Sequence, residues 1–503
     1  MYSRINSCAT LGLECQLVEV ETAISSQVRK FIIVGLPDAA VQEARERVYL
    51  AIKNSGLEFP KRKVTINLAP ADIKKEGPSF DLAMAIGILT ADGQLKNELS
   101  DSLFAGELSL DGQIRHVNGI LPIALFAKEN NYKKLFIPAA NAGEAGLISG
   151  IEIYPAQDLN QLFDHFSGKN PIAPAEPLKN ISAANLVFDS DMVHVKGQEH
   201  AKRALEIAAA GAHNVLMSGP PGSGKTLLAK TMPSILPPMS EAEILEVTKM
   251  YSVAGLLKKD NFLISSRPFR SPHHTSSSVA LVGGGKFPKP GEISLSHRGI
   301  LFLDELPEFP RSVLESLRQP LEDGVISISR AQGTITYPAN FTLIASQNPC
   351  PCGYYNDPDK PCSCSSSQII RYQKKISGPI IDRIDIHLDV PRIKFEKLQS
   401  DDGSENSEKI RQRVIAAVVI QRQRFENSPL RFNSEMRPQE IKKFCALDNA
   451  SLELLKSAVQ KLHLSPRSYH RVLKISRTIA DLESKTNIEA NHVAEALQYR
   501  PKS

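Results

Sequence analysis

The fold is decided by one stretch, NVLMSGPPGSGKTLLAKTMPSIL, which runs from residue 214 to residue 236. An apolar segment predicted as a strand comes first, and a segment predicted as a helix comes last. Between them, GPPGSGKT has the G-x-x-x-x-G-K-[ST] spacing of a phosphate-binding loop (P-loop), in the strand–loop–helix context that this pattern requires. The predicted nucleotide-binding residues are Gly219, Pro220, Pro221, Gly222, Ser223, Gly224, Lys225 and Thr226.

Each residue type in this loop has a physical task. Glycines allow backbone N–H groups to converge on phosphates, and the start of the following helix adds a favourable potential for anions. Lys225 reaches the β- and γ-phosphates, and Thr226 ligates magnesium. ATP and Mg²⁺ are therefore the predicted cofactors. A chance match is the competing explanation, and the flanking strand and helix disfavour it.

Two further apolar segments end in polar residues that suit phosphoryl transfer. ILFLDEL ends in Asp304 and Glu305, which we predict to hold the magnesium shell and to orient or deprotonate the attacking water. FTLIASQN ends in Asn348, predicted to touch the γ-phosphate or that water. The structural alternatives are a solvated strand end for the acidic pair and a turn residue before Pro349 for Asn348.

Composition limits the class of protein. The 503 residues suffice for two or three domains, and the formal charge of +5 is too small to indicate a nucleic-acid partner by itself. The first residues, MYSRINSCATLGLECQ, lack the order of a signal peptide, and no apolar run is long enough to span a bilayer. We therefore expect a cytoplasmic protein without a membrane partner.

Two changes in amino-acid composition divide the chain. Proline-rich GKNPIAPAEPLKN begins at Gly168, and polar, acidic SDDGSENSEK begins at Ser400. The first block alternates strand-like runs such as KVTINLAP with helical segments, the second contains buried parallel strands, and the third has helical periodicity. The predicted domains are an α/β domain at 1–167, a linker at 168–190, an α/β nucleotide-binding core at 191–399 and a helical lid at 400–503.

Four of the seven cysteines form a C-P-C-x9-C-x-C pattern within an insertion at residues 350–364. Four thiolates suit tetrahedral zinc, which would order the excursion after Asn348. Free or redox-active cysteines are the alternative. The candidate zinc ligands are Cys350, Cys352, Cys362 and Cys364.

Several longer strings resemble the magnesium-chelatase-like branch of AAA+ ATPases and, more closely, its ComM/YifB family over the whole chain. They are RPFRSPHHTSSSVALVGGG, KPGEISLSHRGILFLDELPEF, NPCPCG and LSPRSYHRVLKISRTIADLE. The resemblance implies a ring, a hexamer, with ATP held between neighbouring subunits. It also implies that Arg383 is an arginine finger entering the neighbouring site and that Arg467 is a second sensor contributed by the lid. A surface salt bridge is the alternative for either arginine.

The family resemblance also implies a function: an ATP-dependent DNA motor that promotes branch migration, a helicase activity, during homologous recombination in natural transformation. Single-stranded and branched DNA, and other recombination proteins, are the implied partners. A basic, glycine-containing segment between the P-loop and Asp304 would grip phosphates, or alternatively pack between subunits. A second predicted hairpin, VISISRAQGTITYP, adds one more cation. The DNA-binding candidates are Arg267, Arg270, Lys286, Lys289, Arg298 and Arg330.

The first block, from about Arg4 to Phe166, resembles the proteolytic domain of Lon in KKEGPSFDLAMAIGIL and GELSLDGQIRHVNGILPIALFAKENNYKKLFIP. Ser79 stands at the position of the nucleophile. Leu121 stands where Lon has its activating lysine, and Lys128 lies farther along the chain. Since a serine without a base is a poor nucleophile, a role in assembly or DNA binding is favoured, with Ser79 capping a helix. A chelatase-like remodeller of a protein partner and an ATP-dependent protease are the alternative functions.

Overall fold

The computed structural model describes residues 1–72, 74–96, 99–178, 188–258, 261–285, 289–330, 333–393 and 405–501, with the backbone alone described for Arg330 and Gly333. Lys286 therefore lies outside the described residues, as do much of the predicted linker and the boundary between core and lid. The described residues fall into two compact units, one of 1–182 with 241–264, and one of 183–240 with 265–503.

The strands, in chain order, are β1 Tyr2–Leu11, β2 Glu14–Ser25, β3 Phe31–Val34, β4 Lys63–Ala69, β5 Ser102–Phe104, β6 Glu107–Leu108, β7 Ile114–Arg115, β8 Lys134–Pro138, β9 Glu152–Ala156, β10 Val215–Ser218, β11 Phe269–Arg270, β12 Gly283–Gly284, β13 Lys289–Pro290, β14 Ile300–Leu303, β15 Val325–Arg330, β16 Gly333–Pro338, β17 Thr342–Gln347 and β18 Ile386–Asp389.

The α-helices are α1 Ala39–Asn54, α2 Asp81–Ala91, α3 Ile120–Glu129, α4 Ala142–Ala145, α5 Leu159–Phe166, α6 Glu199–Gly211, α7 Lys225–Ile235, α8 Glu241–Ala254, α9 Ser278–Val282, α10 Glu292–Leu295, α11 Arg311–Ser316, α12 Arg318–Asp323, α13 Ser366–Gln373, α14 Gly378–Ile381, α15 Ser407–Arg424, α16 Pro438–Phe444, α17 Asn449–Leu462, α18 Pro466–Leu482 and α19 Ala490–Gln498. Short 3-10 turns occur at Pro78–Phe80, Ala139–Asn141, Met192–His194, Leu306–Glu308 and Asn433–Glu435.

The first unit is built on a seven-stranded mixed sheet in the order β3-β4-β2-β1-β5-β8-β9. Its long β1–β2 pair is antiparallel, and β1, β5, β8 and β9 run parallel. Alternate residues of β8 enter two different cores: Phe136 packs with α1 and α2, whereas Leu135 and Ile137 pack with α3. Every residue of α2 is buried, which is why its sequence is apolar all round instead of amphipathic.

Two features of the first unit depart from the sequence-based expectations. The proposal that Ser79 caps a helix was wrong, because Ser79 lies inside the turn Pro78–Phe80 and α2 begins only at Asp81 without a side-chain cap. Residues 241–264, which lie inside the predicted nucleotide-binding core, are grouped with this unit. Ser252 of α8 donates a hydrogen bond to the buried carboxylate of Glu144, and its carbonyl accepts one from the N–H of Gly119 at 3.2 Å.

The second unit contains a five-stranded sheet in the order β11-β14-β17-β10-β18, in which every pairing is parallel. One core joins this sheet to α6, α7 and the C-terminal helices α15 to α19. The predicted class, mixed α/β with a parallel sheet and a helical C-terminal region, is confirmed. So is the predicted hairpin, since β15 and β16 pair antiparallel; its turn residues lie outside the described ones. In the described parts of the chain, no helix combines the length and the apolar character needed to cross a membrane.

Candidate nucleotide-binding site

The candidate site lies at one edge of the parallel sheet. Strands β14, β17 and β10 are consecutive neighbours, so their carboxyl ends meet at the same edge. The P-loop follows β10, the acidic pair Asp304 and Glu305 follows β14, and Asn348 follows β17. Ligands of open parallel sheets bind outside the carboxyl ends of strands, so this topology brings together three segments that are far apart in sequence.

The P-loop has the backbone of a phosphate cradle. Gly222 and Gly224 have φ of +76° and +91°, and a Cβ at either position would meet open space, so the left-handed backbone is what requires glycine. Position 219 requires glycine for a different reason, since there is no room for a side chain: a Cβ there would lie 2.2 Å from the carbonyl oxygen of Val390. Helix α7 starts at Lys225, directly after this turn, and its first N–H groups therefore face the loop.

Lys225 is held inside the loop. Its ammonium donates hydrogen bonds to the carbonyl oxygens of Gly219 at 2.7 Å and Pro220 at 2.9 Å, and lies 3.4 Å from Oδ1 of Asn348. Burial lowers the pKa of Lys225, and the charges of Asp304 and Glu305 oppose that shift. A phosphate would supply the anionic partner that this buried ammonium lacks.

Thr226 and Asp304 stand together as magnesium ligands would. The Thr226 hydroxyl donates to Oδ2 of Asp304 at 2.8 Å. The other carboxylate oxygen of Asp304 accepts a hydrogen bond from the Ser346 hydroxyl. Ser346 is buried, and its Oγ also lies 3.3 Å from the backbone N–H of Glu305. Ser346 was not among the sequence-predicted residues, although strand alternation places it on the same face of its strand as Asn348.

Glu305 adopts a left-handed backbone conformation, with φ of +54°, immediately after β14. Such a conformation is uncommon for a residue with a side chain and is held by its surroundings. Its N–H lies 3.1 Å from Oδ1 of Asp304. Its carboxylate, about half exposed, lies 3.6 Å from Nδ1 of His274, a second residue whose proximity the sequence did not reveal. The arrangement presents a carboxylate oxygen to the open side of the site, where water is available.

The site fits an ATP–Mg²⁺ complex on its own geometry. Within the described residues, the buried hydroxyl of Ser223 in the P-loop has no hydrogen-bond partner. Oxygen ligands from Thr226 and Asp304 are the donors that Mg²⁺ prefers. Together with the buried ammonium of Lys225, these groups match a polyphosphate carrying a divalent cation.

The two predicted arginines are not part of this cluster. Arg383 hydrogen-bonds to the Pro379 carbonyl and the Glu322 carboxylate. Arg467, whose side chain is 62% exposed, pairs with Asp382 at 3.6 Å. Both arginines therefore lie beside residue 382, one next to it in sequence and one in contact with it. The structure brings them near each other, and among the described residues neither of them contacts the P-loop.

The basic segment before Asp304 divides into internal and exposed cations. Arg267 donates to the carbonyls of Pro237 at 2.6 Å and Arg298 at 2.7 Å. Arg270 forms a two-point ion pair with Glu292, both distances being 2.6 Å. These two side chains serve the fold of the segment in the described structure, a use that the sequence pattern did not indicate.

The remaining DNA-binding candidates lie in or beside two short hairpins. Lys289 is exposed on β13, and Arg330 ends β15, although its side chain lies outside the described residues. The half-buried Arg298 has φ of +59°, and its N–H donates to the carbonyl of Asn340 at 2.6 Å. The hairpins touch: a Cβ on Gly283 of β12 would lie 2.9 Å from Cδ1 of Ile328 in β15.

The four predicted zinc ligands come together. The sulfur atoms of Cys350, Cys352, Cys362 and Cys364 all lie within 4.8 Å of one another. Cys350 is buried and the other three are half-buried. This is the group of candidate metal ligands that emerges from the described residues, and it follows directly on the strand that carries Asn348.

In the first unit, Ser79 has a different environment from that of an activated nucleophile. Its carbonyl accepts a hydrogen bond from Gly106, and no hydrogen bond to its hydroxyl occurs within the described ranges. Leu121 is fully buried at the start of α3, where its N–H donates to Glu144 at 2.9 Å. Lys128 lies beside Gly150, 3.6 Å from Cε to the position a Cβ would take there. The side chain at the position of the Lon lysine, Leu121, is therefore part of the core.

Comparison with known proteins finds family models that match three stretches of the chain. The family described as magnesium chelatase, subunit ChlI, matches residues 191–398, subunit ChlI of Mg-chelatase matches 20–141, and its C-terminal domain matches 404–500. The chain is 44% identical to competence protein ComM of Haemophilus influenzae over 99% of its own length and 97% of that protein. It is 42% identical to YifB of Salmonella typhimurium over 99% and 96%. Lon protease 2 of Bacillus subtilis is 31% identical over 29% of this chain and 25% of that protein.

Proposed function

Because the chain belongs to the ComM/YifB family of magnesium-chelatase-like AAA+ proteins, we propose that it is an ATP-driven hexameric DNA motor that promotes branch migration during homologous recombination in natural transformation. The observation that carries the proposal is the convergence of the P-loop, the acidic pair Asp304 and Glu305, and Asn348 at the ends of three adjacent strands. The proposed place of action is the cytoplasm. ATP and Mg²⁺ are the cofactors, with Zn²⁺ as a structural ion.

Each residue at this edge of the sheet has its own role in phosphoryl transfer to water. A bound Mg²⁺ would supply charge neutralisation at the phosphates. Thr226 and Asp304 hold the magnesium shell, and Lys225 exchanges its loop carbonyls for β- and γ-phosphate oxygens. Glu305 orients the attacking water and receives its proton, with His274 at 3.6 Å to steady the carboxylate. Asn348, beside Lys225, positions the γ-phosphoryl group or the water.

Arg383 and Arg467 fit a role in a ring. Charge spreading over the γ-phosphoryl oxygens requires fixed cations, and in the part of the chain that the structure describes neither arginine contacts the P-loop of its own subunit. We therefore assign Arg383 to the ATP of a neighbouring subunit, as an arginine finger, and Arg467 to the second sensor that the lid contributes. A head-to-tail interface of this kind closes into a ring and makes each site depend on two protomers.

The two touching hairpins are the proposed DNA grip. The described cations are Lys289 in β13, which precedes the acidic pair in sequence, and Arg330 at the end of β15, which follows it. Lys286, between β12 and β13 in sequence, lies outside the described residues and is included as a candidate from the sequence alone. Cations presented on loop tips neutralise phosphates without reading bases, as a motor moving along any sequence requires. Since Arg267 and Arg270 are engaged internally, we assign them to shaping the segment rather than to phosphate contact.

The test is steady-state ATPase activity of the full chain without DNA, with single-stranded DNA and with a branched duplex, followed by strand displacement on the branched substrate. DNA is expected to raise the rate several-fold. The double variant Lys286→Ala/Lys289→Ala should lose most of this stimulation and keep the basal rate. Lys456→Ala, an exposed lysine on α17, is the matched control and should respond like the wild type.

Two outcomes would contradict the proposal. Equal ATPase rates with and without DNA at moderate salt would remove DNA as the effector and favour a protein partner. DNA stimulation without any strand displacement on branched substrates would leave a DNA-dependent ATPase but reject branch migration.

A further inference from the structure

The four-cysteine cluster has the spacing of a metal site. The Sγ atoms of Cys350 and Cys352 are 3.3 Å apart, those of Cys352 and Cys362 are 3.5 Å apart, and those of Cys350 and Cys362 are 3.7 Å apart. A disulfide would require about 2.05 Å. Four thiolates at about 2.3 Å from a tetrahedral Zn²⁺ lie about 3.8 Å from one another. The observed distances are those of sulfur atoms that share one ion, not of a bonded pair.

The backbone of the insertion supports anionic sulfur. The N–H of Cys352 lies 3.4 Å from Sγ of Cys364, and the N–H of Cys364 lies 3.4 Å from Sγ of Cys362. N–H groups aimed at thiolates stabilise their charge and orient the ligands around a metal. The four sulfur ligands are therefore accompanied by backbone N–H contacts of the kind that surround the ligands of a metal site.

The loop between the two cysteine pairs is anchored on both sides. The guanidinium of Arg392 lies over the ring of Tyr354 at 5.3 Å and pairs with Asp357 at 3.4 Å. Lys360 lies over the same ring at 5.2 Å. These contacts tie the excursion to the segment that follows β18, so the sulfur atoms are brought together by a closed loop.

The insertion also touches the P-loop. Gly353 has φ of +84°, and a Cβ there would lie 2.5 Å from Cδ of Pro221. Cys350 follows Asn348 by two residues, and the carbonyl of the intervening Pro349 accepts a hydrogen bond from Gln373 at 3.3 Å. The cysteine cluster thus borders two parts of the candidate nucleotide site, the P-loop at Pro221 and the segment that begins at Asn348.

We propose that Cys350, Cys352, Cys362 and Cys364 bind one Zn²⁺ as thiolates, and that this ion braces the P-loop through the Gly353–Pro221 contact and fixes Asn348. A tetrathiolate set suits zinc above harder cations and closes the coordination shell, so the ion is structural and not catalytic. The bracing part rests on the proposed ATPase function; the metal site does not.

The first experiment measures metal content of the full chain by mass spectrometry after gel filtration in EDTA and, separately, after incubation with ZnCl₂. The wild type should carry about one zinc per chain, and Cys352→Ser/Cys362→Ser less than about one tenth of that. Cys15→Ser, which alters a half-buried cysteine of the first unit, is the control and should keep the zinc. A wild type without zinc under both conditions, one that carries iron, or one whose four thiols titrate as disulfides would overturn the assignment.

The second experiment tests the brace. Gly353→Ala should keep its zinc but bind a fluorescent ATP analogue about tenfold more weakly, because its methyl group meets Pro221. Gly93→Ala is matched in backbone, with the same φ of +84°, and has open space around its Cβ, so it should bind like the wild type. Equal affinity in the two variants would overturn the brace. Since zinc content and nucleotide affinity are read without DNA or hydrolysis, they can succeed or fail independently of the DNA-motor proposal.

Discussion

The Ser346 hydroxyl donates a hydrogen bond to Oδ1 of Asp304, and this contact joins two strands that end at the nucleotide site. The same oxygen lies 3.3 Å from the N–H of Glu305. Ser346 therefore contacts both members of the acidic pair, through the carboxylate of Asp304 and the backbone N–H of Glu305. We expect its effect on ATP hydrolysis to act through the orientation of these two residues.

Ser346→Ala is expected to lower kcat about tenfold, equivalent to about 1.4 kcal/mol in the barrier, with a smaller change in KM. The lost hydroxyl leaves the Asp304 carboxylate with the Thr226 hydroxyl and the backbone N–H of Glu305 as partners. Steady-state ATPase assays over a range of Mg²⁺ concentrations provide the measurement, since a misplaced Asp304 should also raise the Mg²⁺ concentration needed for half-maximal activity. Ser316→Ala removes a hydroxyl that bonds only to its own helix, at Val313, and should be neutral. Equal activity of the two variants would show that Ser346 is not a positioning residue.

Glu305→Gln is expected to abolish at least about 99% of ATP hydrolysis, because a general base contributes a factor of about 10² to 10⁴. Nucleotide binding should persist, since Lys225, Thr226 and Asp304 are untouched. The rate of phosphate release measures hydrolysis, and retention of a fluorescent ATP analogue measures nucleotide binding.

The matched control for that change is Glu308→Gln, three residues farther along the chain. Glu308 is exposed and pairs with Lys375 at 3.0 Å, an interaction of small energetic value. It should hydrolyse ATP at close to the wild-type rate. If Glu308→Gln were the inactive variant and Glu305→Gln the active one, the assignment of the base would be wrong.

Arg47→Ala is expected to destabilise the first unit, and more at pH 7 than at pH 5. Asp81 is buried, with Arg47 at 2.9 Å and 3.1 Å, and burial raises the pKa of Asp81 to about 6 although Arg47 and the N–H of Leu108 oppose the shift. Removing the arginine costs about 3 kcal/mol when the carboxyl is ionised. At pH 5 the carboxyl is mostly protonated and the loss is smaller.

The raised pKa of Asp81 also determines how the stability of the wild type changes with pH. The folded pKa of Asp81 lies above the unfolded value of about 3.9, so the folded state binds more protons between these values. The contribution of this group to stability is present in full below about pH 4 and is lost as pH rises through about 6. Hydrogen exchange of α2 peptides, corrected for intrinsic rates, measures it at pH 5 and pH 7. Arg45→Ala, which removes an exposed pair with Glu46, is the control, and an equal loss for Arg47→Ala at both pH values would contradict the expectation.

Much of this organisation was accessible from local pattern. Strands β10, β14 and β17 read as short apolar runs because parallel strands are buried on both faces, and the polar residue that ends each run marks the site. The sequence of β1 lacks this continuous apolar pattern, because two of its buried residues, Ser3 and Ser7, are polar. Their hydroxyls donate to the carbonyls of Gly87 and Phe104, partners about 90 residues away that no local pattern reveals.

The same limit explains the other surprises. Basic residues between the P-loop and Asp304 look alike in sequence. In the structure, however, it is Arg270 that pairs with Glu292. The position of α8 in the first unit depends on the buried acceptor Glu144, which lies about 100 residues upstream of Ser252. Pairings of this range depend on tertiary structure, and periodicity carries no information about them.

Mixing two inactive variants tests the ring and the assignment of Arg383 together. Lys225→Ala removes the P-loop cation, and Arg383→Ala removes the proposed finger, which contacts Pro379 and Glu322 in its own subunit. Each variant alone should hydrolyse ATP at a few per cent of the wild-type rate or less, because each site lacks one of the cations proposed to meet the γ-phosphoryl charge. In an equal mixture, about a quarter of the interfaces of a head-to-tail ring pair an intact P-loop with an intact finger. ATPase activity should therefore recover to about a quarter of the wild-type value. No recovery, with mixed assembly verified by co-purification of differently tagged variants, would place Arg383 in its own subunit's site or outside catalysis.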